Sequence, residues 1–203
     1  MDKVDYKKEY KEFYRPSAKE VTTVTVPAFN FLMIDGQGNP NTSEAYKEAI
    51  ETLYAVSYTI KFAIKKGAIG IDYGVLPLES LWWVDDMREF DENKKEEWKW
   101  TAMISQPPII SDELVAECIK VVQKKKNPPA LSKMRFEKFT EGKAAQLMHI
   151  GPFSEEGPNI RKVHEYIISK GHQLHGKHHE IYLSDIRRAA PEKWKTIIRQ
   201  PFV

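Results

Sequence analysis

His178-His179-Glu180-Ile181-Tyr182-Leu183-Ser184-Asp185 gathers an imidazole, a carboxylate and a phenol within five residues. On the two-residue period of a strand, His178, Glu180 and Tyr182 share one face, and His179, Ile181 and Leu183 share the other. A carboxylate set between an imidazole and a phenol is poor core material, because burying an unpaired charge is expensive. It suits a pocket where it takes a proton from water or faces a ligand's charge. The plainer reading is an exposed strand face with a solvated Glu, and spacing alone leaves both readings open.

Tryptophans supply the second half of a pocket. Trp82 and Trp83 end one strand, and Trp98 and Trp100 begin the next. Each offers a broad apolar face on which a flat ring can stack. Alternation puts Glu79, Leu81 and Trp83 together, with Trp82 opposite and Trp98 and Trp100 on one face. Trp83 and Trp100 are the expected pocket walls, Trp82 the next choice, and the remainder core. Other chemistries fit less well. His172, His175, His178 and His179 crowd together, but Gly171 and Gly176 put them around a turn, and a zinc site needs three or four converging ligands. A polar hairpin without metal is expected. There is no Gly-x-Ser-x-Gly elbow, Cys118 sits in a helical pattern, and Gly36-Gln37-Gly38-Asn39-Pro40 lacks a phosphate-loop lysine. The chemistry therefore rests on a carboxylate, phenols and bound water, with no cofactor.

These residues need strands and helices to hold them. Strands are expected over residues 21–26, 30–35, 73–83, 98–105, 136–140, 143–150, 180–183 and 196–199. Ser43 caps a helix with Tyr46, Ala49, Ile50, Leu53, Val56, Ile60 and Ile64 on its apolar side and Gly67 at its end. Pro158 opens another, with Ile160, Val163, Ile167 and Ile168 inward and Gly171 as its stop. A connecting helix near 111–126 carries Leu114, Val115, Cys118, Val121 and Val122, ending at Asn127-Pro128-Pro129.

The chain also repeats itself. Phe31-Leu32-Met33-Ile34-Asp35-Gly36 matches Gln146-Leu147-Met148-His149-Ile150-Gly151, and Gln106-Pro107 matches Gln200-Pro201. The first copy is longer after its helix, which places a charged insert at residues 85–97. The simplest account is one α+β domain over 1–203, made of two β-α-β-β halves at about 20–107 and 135–203. Two antiparallel sheets, with helices on the outer face, then flank a central ligand cleft.

Composition narrows the partners. The chain has 203 residues, 31 basic against 29 acidic, for a net charge of +2, which argues against a dedicated nucleic-acid binder. Lys94-Lys95 and Lys124-Lys125-Lys126 read as solvated surface. One cysteine excludes an internal disulfide. With no apolar leader and no run of roughly 20 apolar residues, a cytoplasmic protein that does not cross a membrane is expected.

Residues 177–185, Ala190-Pro191-Glu192-Lys193 and Ile197-Ile198-Arg199-Gln200-Pro201 resemble the GyrI-like (gyrase-inhibitor-like) small-molecule-binding family. Pro77-Leu78-Glu79-Ser80-Leu81-Trp82-Trp83, Trp98 to Ile104 and Leu147-Met148-His149-Ile150-Gly151-Pro152-Phe153 resemble its stand-alone branch. The resemblance runs from about Tyr14-Arg15-Pro16 to the C-terminus and implies the duplicated fold, an aromatic cleft and Glu180 as the central carboxylate. That branch includes hydrolases that add water across the cyclopropane of DNA-alkylating cyclopropanoid toxins, the yatakemycin and duocarmycin type, and so protect the cell. On this expectation the protein is a metal-independent enzyme. Glu180 and Tyr182 are catalytic, and Trp82, Trp83, Trp100, Tyr73, His178 and Met148 hold a hydrophobic aromatic small molecule. Glu180 accepts the water's proton, while Tyr182 or Tyr73 donates to the substrate's carbonyl oxygen. The alternatives are a sequestering module for drugs or lipophilic cations, with Glu180 as counter-charge, and direct contact with gyrase.

Overall fold

Six strands, all paired antiparallel, close into one ring. In the computed structural model, which describes residues 3–91 and 94–203 and only the backbone of Arg88, the elements in chain order begin with β1 (Lys3–Val4), α1 (Tyr6–Glu9) and α2 (Lys11–Tyr14). They continue with β2 (Thr22–Gln37), α3 (Glu44–Lys66), β3 (Asp72–Tyr73), β4 (Leu78–Trp83), β5 (Lys99–Gln106) and α4 (Asp112–Lys125). The last are β6 (Arg135–Ile150), α5 (Gly157–Ser169), β7 (His178–Tyr182) and β8 (Lys195–Pro201). The ring runs β2-β5-β4-β7-β8-β6, and β2 pairs with β6 to close it.

Closure corrects the expectation of two sheets flanking a cleft. An open sheet edge leaves backbone donors and acceptors unpaired, and here each edge finds the other's. Ser80 lies directly across from Glu180 in the β4–β7 pair, so the junction expected to be a gap is laced with hydrogen bonds. Two surfaces result, an inward face within the barrel and an outward face beneath the helices.

α3 packs on the outward face of β2 and β5, and α5 on that of β6 and β8. The apolar stripe of α3 buries Tyr46, Ala49, Leu53, Val56, Ile60 and Ile64 as expected. Its start is set by Ser43, whose Oγ accepts from the Tyr46 N–H at 3.2 Å. In α5, Val163 and Ile167 are buried on Ala145, Leu147 and Ile198 with Ile160 packed beside them; Ile168 is 62% exposed, because one further residue turns it about 100° away.

The two long strands cross from one half of the ring to the other. Gly142, at φ +78°, interrupts the alternation of β6. Upstream, Glu141 faces inward, and downstream Gln146 does so too, both reaching the same Arg199. Close approach fixes Gly36 as well: a Cβ there would stand 2.2 Å from the Trp100 ring.

Candidate active site

β7 delivers the carboxylate, and alternation decides which surface receives it. His178, Glu180 and Tyr182 face outward, beside Ser80 and Trp82 of β4. The Tyr182 hydroxyl donates to Glu180 Oε2 at 2.6 Å, and Trp82 Nε1–H donates to the same oxygen at 3.2 Å. His178 Nε2 lies 3.2 Å from Glu180 Oε1. Glu180 is thus only 8% exposed yet held by three polar neighbours. From the first turn of α3, Tyr46 reaches Ser80 Oγ at 2.7 Å and sets its ring against Trp82 and Trp100, centroids 5.4 and 5.0 Å away. Loop side chains form a roof. Phe90 stacks on Trp98 at 4.8 Å, and Phe153 meets Tyr182 and Trp194 at 5.6 and 4.9 Å.

A second carboxylate completes the group. Glu156, in the turn before α5, is 4% exposed. Burial, and then the negative charge of Glu180, push its pKa up to about 9. Glu180 goes the other way: burial alone would raise it, but hydrogen bonding and charge from His178, joined by the Tyr182 hydroxyl, hold it below the ordinary value. The Tyr182 phenol is pushed well above its usual value, first by burial and then by Glu180. The two buried carboxyls are thus pushed in opposite directions, Glu156 toward its neutral form and Glu180 toward its ionised form. Such a pair matches a base with an acid, since the ionised carboxylate accepts a proton from water and the neutral carboxyl donates one to a developing oxyanion. Among the described residues, Glu156 Oε1, Thr196 Oγ1, His178 Nδ1 and His164 Nε2 are buried without hydrogen-bond partners, an unspent polar capacity lying around this group.

Of the residues singled out from sequence, Glu180, Tyr182, His178 and Trp82 come together. Trp100 forms the deeper wall behind Tyr46, 1% exposed. Three lie apart. Trp83 is one residue out of phase with Trp82 and faces inward, beneath the Lys177 ammonium. Met148 pairs with Ile197 on the inward face. Tyr73 belongs to β3, paired with Val4 and packed edge-on against Tyr6 at 6.1 Å, so it cannot reach a ligand at Glu180. Tyr182 spends its hydroxyl hydrogen on Glu180 and is not free to donate to a substrate carbonyl. Glu156, Tyr46, Ser80, Phe153 and Thr196 were not foreseen. Glu156 looks in sequence like an acid easing the start of a helix, and no local pattern separates it from one.

The neighbouring His179 points inward and does different work. Its Nε2 lies 3.0 Å from Glu79 and its Nδ1 2.8 Å from Glu141, which also accepts from Arg199 at 3.0 Å. Burial opposes charging His179, but the Glu141 carboxylate and the hydrogen bonds lift its pKa to about 9. Glu141, burial notwithstanding, falls to about 2 beside His179 and Arg199. Arg199 continues to Gln146 at 3.0 Å and the Phe13 carbonyl at 2.6 Å, and the Tyr14 hydroxyl donates to Glu79 at 3.0 Å. α2 is thereby tied into one end of the barrel.

The profile of a family described as GyrI-like small molecule binding domain matches residues 19–202. A conserved protein from Listeria innocua is 39% identical with a TM-score of 0.90, over 98% of this chain and 100% of that one. A hydrolase from Listeria innocua is also 39% identical, with a TM-score of 0.88 over the whole of both chains. The EcmrR C-terminal domain, 11% identical with a TM-score of 0.58, covers 91% of this chain and 97% of that one and shares the fold alone. No curated protein matches the chain. Among the described residues no helix is long and apolar enough to cross a membrane.

Proposed function

The chain belongs to the family of GyrI-like small-molecule-binding domains, and from that premise we propose that it is a hydrolase opening the cyclopropane ring of cyclopropanoid alkylating toxins. The observation that carries the reading is the buried Glu180 carboxylate, held by Tyr182, Trp82 and His178, with the buried Glu156 carboxyl beside it under an aromatic roof. Two relatives from Listeria innocua described as hydrolases, at 37% and 39% identity, support the reaction class.

In such a substrate the three-membered ring is fused to a dienone. Glu180 takes a proton from a water while the water oxygen bonds to the ring methylene. The ring carbon–carbon bond breaks, and its electron pair flows into the dienone, which becomes a phenolate. Glu156 gives its proton to that oxygen, and one water has been added overall. Tyr182 positions Glu180, while Trp82, Trp98 and Tyr46 supply flat walls and exclude bulk water. The ligand reaches Glu180 by displacing roof side chains such as Phe90 and Phe153. The same reading treats residues 1–203 as one unit of two β-α-β-β halves, supported by the matching ring orders β2-β5-β4 and β6-β8-β7.

The test is incubation with duocarmycin or yatakemycin, following product mass. Multiple-turnover gain of one water is expected, and Glu180→Gln should slow it by roughly 10²–10⁴-fold with the thermal melt retained. Full turnover in a folded Glu180→Gln protein removes the general base. Tight binding with the toxin recovered unchanged makes the site a sequestering one.

A further inference from the structure

The end of the barrel away from α2 is open. A cavity of about 360 Å³ lies there, with Met33, Leu81 and Phe139 giving apolar wall and Arg135, Glu137, Glu141 and Lys177 giving charge of both signs. That volume falls within the range of small-molecule sites. It stands back to back with the Glu180 group: Leu81 faces into the barrel, and its neighbours Ser80 and Trp82 face out.

The charges at this opening are unevenly satisfied. Arg135 is taken, with Nη1 on Asp35 at 2.9 Å and Nε on Glu137 at 2.7 Å. Thr101 also donates to Asp35, at 2.7 Å. Glu141, deeper in, is taken by His179 and Arg199. Lys177 is the exception. Its Nζ stands 3.3 Å from the centre of the Trp83 ring, and among the described residues no carboxylate lies within ion-pair reach. The side chain is half-buried, and that burial presses its pKa down. A partly desolvated ammonium beside the cavity thus has no anion in contact, the Asp35 carboxylate held by Arg135 acting on it only from beyond ion-pair reach.

We propose that the open barrel end is a second ligand site that takes a small amphipathic carboxylate, its apolar body against Met33, Leu81 and Phe139 and its carboxylate on Lys177 Nζ. A cationic ligand would meet the Lys177 charge and find the Trp83 face already covered. A neutral one would leave the ammonium as it is.

The experiment titrates the full chain with octanoate, octanol and octylammonium by calorimetry, with amide shifts to locate binding. Octanoate should bind and perturb the amides of residues 33, 81 and 139. Octylammonium should not bind. Lys177→Gln should weaken octanoate about tenfold or more, Lys177→Arg should retain it, and Glu180→Gln should leave it unchanged. The proposal is overturned by absent octanoate binding, by octanol binding equally well, by a Lys177→Gln protein that binds as the parent does, or by shifts gathered around Glu180.

Discussion

Glu156 and Glu180 are the same kind of side chain, pushed toward opposite protonation states by their neighbours. Two expectations follow for the pair. The pH–rate profile should be a bell whose alkaline limb lies near 9, where Glu156 loses its proton. Glu156→Gln should abolish that limb and lower kcat by roughly 10²-fold or more, read from initial rates across pH. Stability should move the other way. A carboxyl raised from 4.5 to about 9 holds its proton in the folded state after the unfolded chain has lost it, so it destabilises progressively from pH 4.5 to 9. The advantage of Glu156→Gln in urea unfolding should therefore grow over that interval, and a constant difference would sink the idea of a buried neutral acid. Glu180 was legible in the sequence because a strand's alternation isolates it with His178 and Tyr182. Glu156 was not, because its neighbours come from β7 and β8, more than twenty residues downstream.

The three long helices were legible nearly to the residue, since cap and stripe are local signals: Ser43 and Gly67 bound α3, and Ser111 caps α4 through the Leu114 N–H, whereas the single turns α1 and α2 were not expected. The long strands were read as two pieces each. Pro27 and Gly142 break the local pattern, yet β2 and β6 hold register across both, with Val26 facing Gly142. Tertiary pairing overrode the local interruption. The charged insert proved to carry part of the roof, Phe90 on Trp98, which its composition conceals. What fastens α2 was likewise invisible, because Arg199 finds Phe13 and Glu141 only once the ring is built. Arg199→Ala should cost about 3–5 kcal/mol in urea unfolding, since it leaves Glu141 buried without one of its two cationic partners and strands the Phe13 carbonyl. A loss below about 1 kcal/mol would show that the tie is incidental.

For the molecule entire, three buried groups set one pH optimum of stability. His179 is raised from 6.5 to about 9, so its contribution is complete below 6.5 and fades as pH rises through 9. Glu141 is depressed from 4.5 to about 2, so its contribution is complete above 4.5 and fades as pH falls through 2. Glu156 adds to the alkaline loss. Urea midpoints should therefore be higher at a pH of about 5.5 than at about 8.5, and equal midpoints would contradict these assignments. Closure of the ring carries one more consequence, in time rather than space. β2 is made early, but one of its partners, β6, lies about a hundred residues further along, and β4 waits for β7. A ribosome therefore holds out a strand bearing Phe29, Phe31 and Met33 with one edge bare until most of the chain exists. Folding must be late and governed by distant contacts, and unfinished chains are the state in which this protein is exposed to wrong pairing and in need of chaperones.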